Sequence, residues 1–172
     1  MKNENDMCVC FECGSSIEEA ESFEIDGETV CVTCLFGDAE PFEIYPIGRV
    51  QNELQRNESG FGSTGPDGIS RIELFPSQKR FLHRLEDEKY ITVVYCLHKA
   101  GSVKSVFTRG LDGKRTGVFA TRTPDRLSRI GIQDVRLVKI DETILYVEGL
   151  DAIDGTPVLD IKLGWSIERK VT

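Results

Sequence analysis

The sequence predicts a mainly β fold, an antiparallel barrel or sandwich with little helix, preceded by a small cysteine-bearing module. Three observations predict it. Short runs rich in Val, Ile, Tyr, Phe and Thr recur along the chain, which is the composition of strands. Turn residues separate these runs. Five of the six cysteines fall within the first 34 residues.

Taken in order, FECGSSIEEAESFEIDGETVCVTC (11–34) reads as turn, short hairpin, turn, so residues 1–38 form a module of their own. Pro41 is the expected joint to the rest. The run 49–68 begins as a strand and becomes a loop rich in Gly, Ser and Asn, a composition of surface segments near sites. Residues 71–74 start as a strand, and Phe81, Leu82 and Leu85 at helical spacing predict a short helix. ITVVYCL (91–97) predicts a buried strand. SVFTRGLDG (105–113) is a strand running into a turn, and TGVFATRT (116–123) a strand running into Pro124. VRLVKIDETILYVEGLDAID (135–154) reads as a hairpin about Asp141-Glu142, and VLDIKL (158–163) as the final strand.

The chain has 172 residues, enough for one domain with a core, or one domain plus a small module. Hydrophobic residues make up 40% and charged residues 29%, so the chain is globular rather than disordered. No apolar run approaches the ~20 residues of a membrane helix. The start, MKNENDMCVC, lacks the apolar segment of a signal peptide, so the expected compartment is the cytoplasm. A net charge of −8 is unlike a bulk nucleic-acid binder, which neutralises phosphates with basic residues. RNA then requires a local basic patch.

Cys10-x2-Cys13 and Cys31-x2-Cys34 are separated by 17 residues, the spacing of a four-cysteine zinc site with two knuckles facing across a hairpin. Two cysteines in a tight turn point inward together, and two such turns supply a tetrahedron of thiolates. Gly14 lets the first turn close so that its amides face the sulfurs. Four thiolates fill the coordination sphere, so such a metal is structural. Free buried cysteines or redox pairs are the alternative, and iron is the rival metal. Cys8 is left over, as a substitute ligand or a reactive thiol; Cys96, in an apolar strand, reads as a core residue.

Elsewhere, residue types alone leave alternatives open. Arg122 and Arg126 flank Pro124, and either can fork onto a carboxylate or phosphate, or pair with a surface acid. Arg129 adds a third cation, a substrate contact or a solvated charge. Asp154-Gly155 is a turn signal and Thr156-Pro157 a strand start, with Asp160 and Lys162 beyond them. His98 ends an apolar strand as a structural or a site residue, while His83 reads as surface.

Five segments together resemble the TrmO-type (TsaA-like) family of S-adenosylmethionine-dependent tRNA methyltransferases. They are PIGRV (46–50), IEL (72–74), ITVVYCLH (91–98), GVFATRTPDR (117–126) and DGTPVLDIK (154–162), in the family's order and spacing. The chain departs at Asp125, where the family has His, at Leu127-Ser128-Arg129, where it has Pro-Asn-Pro, and at Leu163-Gly164, where it has Pro-Tyr. The resemblance implies a divergent member: a small antiparallel β-barrel with one or two short helices over 39–172, preceded by the zinc-ribbon-like module at 1–38. It implies cofactor contacts from Phe119, Ala120, Thr121, Arg122, Pro124, Arg126, Asp154, Thr156, Asp160 and Lys162, catalytic roles for His98 and Asp154, and a homodimer. The metal expected on Cys10, Cys13, Cys31 and Cys34 is structural Zn2+. The acceptor implied is threonylcarbamoyl-adenosine beside the tRNA anticodon. The alternatives are a protein or small-molecule acceptor, with the cysteine module aiding recognition, and a non-catalytic module that binds the cofactor or a partner.

Overall fold

The computed structural model describes residues 7–53, 68–110 and 112–164. Most of the expected Gly-, Ser- and Asn-rich loop, 54–67, lies outside the described residues. Two compact units emerge: the described residues of Met1–Glu43 with Ala100–Arg129, and those of Ile44–Lys99 with Ile130–Thr172. The segment 100–129, which the sequence reading joins to the barrel stretch, groups with the cysteine module. The units part after Glu43, close to the expected joint at Pro41.

The first unit is built from hairpins. Strand β1 (Met7–Val9) pairs antiparallel with β2 (Ser16–Glu18), and between them the chain turns through Cys10–Ser15. Gly14 sits at φ +72°, a left-handed conformation in which a Cβ is disfavoured. Strand β3 (Ser22–Ile25) pairs with β4 (Glu28–Cys31) across the two-residue turn Asp26-Gly27, with φ of +54° and +89°. Asp-Gly suits this turn because both positions take positive φ, matching the strand twist. A single helix, α1 (Val32–Phe36), follows and carries Cys34. Phe36 meets Phe23 edge to face, centroids 5.5 Å apart. Further along the chain, β8 (Val106–Thr108) and β9 (Arg115–Gly117) form a third hairpin.

The second unit is a closed barrel with strand order β10-β11-β6-β5-β12-β7, every pair antiparallel. Its strands are β5 (Gly48–Gln51), β6 (Ile69–Leu74), β7 (Tyr90–Cys96), β10 (Ile130–Asp141), β11 (Ile144–Glu148) and β12 (Pro157–Leu163). Alternation aims one face of each strand inward. Ile91, Val93 and Tyr95 of β7 meet Ile72 and Leu74 of β6, Leu145 and Val147 of β11, and Val158 of β12 in one buried cluster. Each such side chain contributes about 1.5–3 kcal/mol by leaving water.

Three sequence expectations need correction. The short helix near 81–85 is replaced by two 3-10 turns, Pro76–Phe81 and Leu85–Asp87. Arg84 at φ +62° breaks the run, and Leu82 and Leu85 pack on the barrel core while Phe81 faces solvent. Only Arg115–Gly117 of TGVFATRT is strand, and Val118–Ala120 turn as a 3-10 segment. Cys96 is not a core residue: the alternation that buries Tyr95 turns Cys96 to the outer, half-buried face.

Gly48 lies where three strands meet, opposite Leu74 of β6 and Val158 of β12. A Cβ there presses on the Glu73 carbonyl oxygen and lies 2.8 Å from Leu74 Cα, both backbone atoms that cannot move aside. Gly48→Ala is expected to lower stability by about 1–3 kcal/mol, read as a lower urea midpoint at unchanged slope.

Candidate functional site: a four-thiol cluster and two polar segments

The two knuckles and the β3–β4 hairpin converge on one point. The Sγ atoms of Cys10, Cys13, Cys31 and Cys34 all lie within 4.8 Å of one another, and those of Cys10 and Cys34 are 3.9 Å apart. Thiolates each about 2.3 Å from a tetrahedral zinc are separated by about 3.8 Å. Backbone amides face the sulfurs, Cys31 N–H donating to Cys10 Sγ and Cys34 N–H to Cys31 Sγ, each at 3.3 Å. Such N–H donors stabilise thiolate charge. The backbone amides of Cys13 and Cys31 bring the Cys10 thiol down to about 6. Ser15 lowers Cys13. Cys34 is pushed up to about 12 by Cys31 and Cys13 beside it. Four sulfurs this close therefore ionise together only around a cation, and the donor set fits a soft divalent metal. Cys8 stands outside the cluster, its thiol donating to the Ile17 carbonyl at 3.6 Å. Beyond the sulfurs the module's buried core is small, Cys10, Val30 and Cys31 backed by Ile17, Ile25 and Leu35.

In the same unit the segment 117–126 folds back on itself. Val118 is buried, whereas Phe119 is 88% exposed and Ala120 is exposed. Thr121 Oγ1 donates to the Val118 carbonyl at 2.8 Å. Arg126 donates through Nε to the Thr123 carbonyl at 2.9 Å and through Nη2 to that of Thr121 at 2.6 Å. Its guanidinium is thus used by the loop, closing it around exposed Pro124. Arg122 is exposed and, among the described residues, makes no hydrogen bond or ion pair. The two arginines, equivalent in sequence, differ in structure: one braces and the other is free to bind. A groove of about 1010 Å³ runs along this segment. Val118, Phe119 and Leu127 line it together with Ile25, Val30 and Leu35 of the cysteine module.

In the barrel unit, Asp154-Gly155-Thr156 is stitched to the end of β5. Gly155 N–H donates to the Val50 carbonyl and Val50 N–H to that of Thr156, each at 2.9 Å. Asp154 Oδ1 accepts from Asn52 N–H at 3.1 Å. Asn52 Nδ2 also donates to Ser70 Oγ at 2.9 Å and the Ala152 carbonyl at 2.8 Å. Thr156 is buried, its Oγ1 3.5 Å from Nδ1 of His98. Burial, helped by Lys99, lowers the His98 pKa, so its imidazole is neutral at pH 7. Asp160 and Lys162 pair with each other at 2.5 Å, and Asp160 also accepts from Ile161 N–H. His98 and Thr156 thus come together and Asp154 is held by Asn52, while Asp160 and Lys162 form a separate, mostly solvated pair. Asn52 was missed from sequence; its only signal is position, one residue past a short strand.

The described residues hold no helix long and apolar enough to cross a membrane. Residues 61–164 match the tRNA-methyltransferase O N-terminal domain, so the cysteine module precedes the matched range. An S-adenosyl-L-methionine-binding protein of Archaeoglobus fulgidus is 34% identical over 118 residues, 68% of this chain and 85% of that protein. The tRNA (adenine(37)-N6)-methyltransferase of Mus musculus is 38% identical over 95 residues, 54% of this chain and 22% of that enzyme. A crystal structure of TrmO from Pseudomonas aeruginosa superposes with a TM-score of 0.58 at 26% identity, covering 77% of this chain and 60% of that one. The chain therefore spans about a fifth of the mouse enzyme and three-fifths of the bacterial crystal chain. With more than half of its length matched, the chain belongs to the tRNA-methyltransferase O family, whose N-terminal domain it carries.

Proposed function

We propose that the chain transfers a methyl group from S-adenosylmethionine to the exocyclic amine of threonylcarbamoyl-adenosine in tRNA, with a structural zinc on its cysteine module. The observation that carries this reading is the conjunction of family membership with an exposed Arg122, unpaired among the described residues, three positions after an exposed Phe119. S-adenosylmethionine supplies an electrophilic methyl on a sulfonium, together with a carboxylate, a ribose and an adenine. Arg122 offers a forked cation to a carboxylate, the strongest polar contact available to it. Phe119 offers an open ring face on which a flat heterocycle stacks. In the barrel unit, neutral His98 is able to take up a proton released by an attacking amine. Asp154, oriented by Asn52, offers its second oxygen as an acceptor. Methyl transfer needs little else, because orientation supplies much of its rate.

A second reading, the same chemistry on a protein or small-molecule acceptor, is favoured by the net charge of −8 and by Leu127-Ser128-Arg129 in place of the family's Pro-Asn-Pro. One experiment separates the two. The full chain is incubated with methyl-labelled S-adenosylmethionine and bulk tRNA, and the digested nucleosides are read by mass spectrometry. Label on threonylcarbamoyl-adenosine is expected; label found only on protein or small molecules would overturn the tRNA acceptor.

Arg122→Ala is expected to weaken S-adenosylmethionine binding by about tenfold or more, since a charged hydrogen bond is worth roughly 1.5–3 kcal/mol. Its melting temperature should not move. Arg126→Ala loosens the loop itself, so there amide exchange across 121–126 should rise. Calorimetry and hydrogen exchange check the pair, and equal effects from both variants would refute the assignment.

Elemental analysis of the purified chain is expected to find about one zinc per chain. Cys13→Ser should lose metal and lower the melting temperature of the module. Full metal retention in that variant would exclude this ligand set.

A further inference from the structure

The tip of the cysteine module's β3–β4 hairpin is bonded to the segment 103–105. Asp26 sits at the tip of the β3–β4 hairpin, at the opposite end from Cys31. Its backbone N–H donates to the Val103 carbonyl at 3.0 Å, and Ile25 forms a parallel bridge to Val103. Its carboxylate accepts the Ser105 N–H on both oxygens, at 3.1 and 3.2 Å, and the Ser105 hydroxyl on Oδ2. These donors hold the carboxyl below its usual range.

The contact continues into the motif. The Ser105 carbonyl accepts from Val118 N–H at 2.9 Å. Lys104 N–H donates to the Asp125 carbonyl at 3.1 Å, and Gly101 N–H to the Asp125 carboxylate at 3.0 Å. Both ends of 118–125 are therefore tied to 101–105, which is tied to the hairpin tip. The hairpin base carries Cys31 of the thiol cluster. The same hairpin supplies Ile25 and Val30 to the groove wall facing Val118 and Phe119.

We propose that the metal-held hairpin is a brace for the cofactor segment, and that Asp26 is its positioning residue: by fixing 103–105 it orders 118–126 and so sets affinity for S-adenosylmethionine. The affinity half rests on the function proposed above; the bracing half rests on the contacts alone. An ordered segment binds more tightly because less conformational freedom is lost when the ligand arrives. The module then serves the reaction without touching substrate, and metal loading and cofactor binding are linked, each strengthening the other.

Asp26→Gly is the cleanest test, since glycine keeps the left-handed turn and deletes only the carboxylate. The full zinc-loaded chain is compared with this variant by metal content, hydrogen exchange and calorimetry with S-adenosylmethionine. Metal content and barrel exchange should be unchanged, exchange over 103–126 should rise, and affinity should fall by about tenfold. Asp26→Asn keeps one acceptor and the turn preference, so it should lie between. Ser105→Ala removes one donor from the other side and should weaken affinity in the same direction. Unchanged exchange over 103–126 in metal-loaded Asp26→Gly overturns the brace. Faster exchange with unchanged affinity overturns its link to the cofactor. Failure of the wild-type chain to bind S-adenosylmethionine overturns the proposed function and the affinity half together, while exchange still decides the brace.

Discussion

An open six-stranded sheet leaves two rows of unpaired N–H and C=O groups, and the barrel exists because one strand removes both. β10 pairs with β7 over Ile130–Arg136 and with β11 over Arg136–Asp141. Its register shifts between Leu137 and Lys139, the local irregularity that bends a long strand around a small barrel. Val135 and Leu137 lie on the buried side before this irregularity, and Ile140 packs on the core beyond it. β12, on the other side of β7, likewise shifts register between Val158 and Asp160 as it spans β5 and β7. Closure fixes where every loop begins and ends.

The candidate functional segments are those the barrel strands do not use. Asp154-Gly155-Thr156 precedes β12 and is held by the end of β5. The excursion between β7 and β10 carries Phe119, Arg122 and Arg126, and by its packing it belongs with the cysteine module. The chain thus separates a rigid core of apolar strands from polar segments whose shape depends on hydrogen bonds between distant residues. Among the described residues the module adds few buried side chains of its own, so hydrophobic area alone gives it little order.

What could be read from sequence divides along the same physical line. Strands declare themselves by β-branched residues, and the paired cysteines by their spacing, because both are local patterns. The Asp154–Thr156 and 117–126 segments were visible as motifs. The continuous run ITVVYCL hid its alternation, so Cys96 read as core although its neighbour Tyr95 holds that place. The 3-10 turn at Val118–Ala120 was hidden because its residues are those of a strand. The partners of Asn52 and Asp26 were hidden: Asp154 and Ser105 are 102 and 79 residues away in sequence. Nor could sequence separate Arg122 from Arg126, since the difference lies in two carbonyls that only the folded loop presents.

Ile130 lies directly opposite Cys96 in the β7–β10 ladder. The long excursion therefore leaves the barrel and returns to it at adjacent positions, as through a narrow neck. Loop-closure entropy grows only with the logarithm of length, about 0.6 kcal/mol per doubling. A segment joined at such a neck is free to lengthen, shorten or exchange its contents over evolutionary time while the strands beneath it keep their pairing. The barrel is in that sense a chassis whose strand pairing does not depend on the length of the excursion it carries.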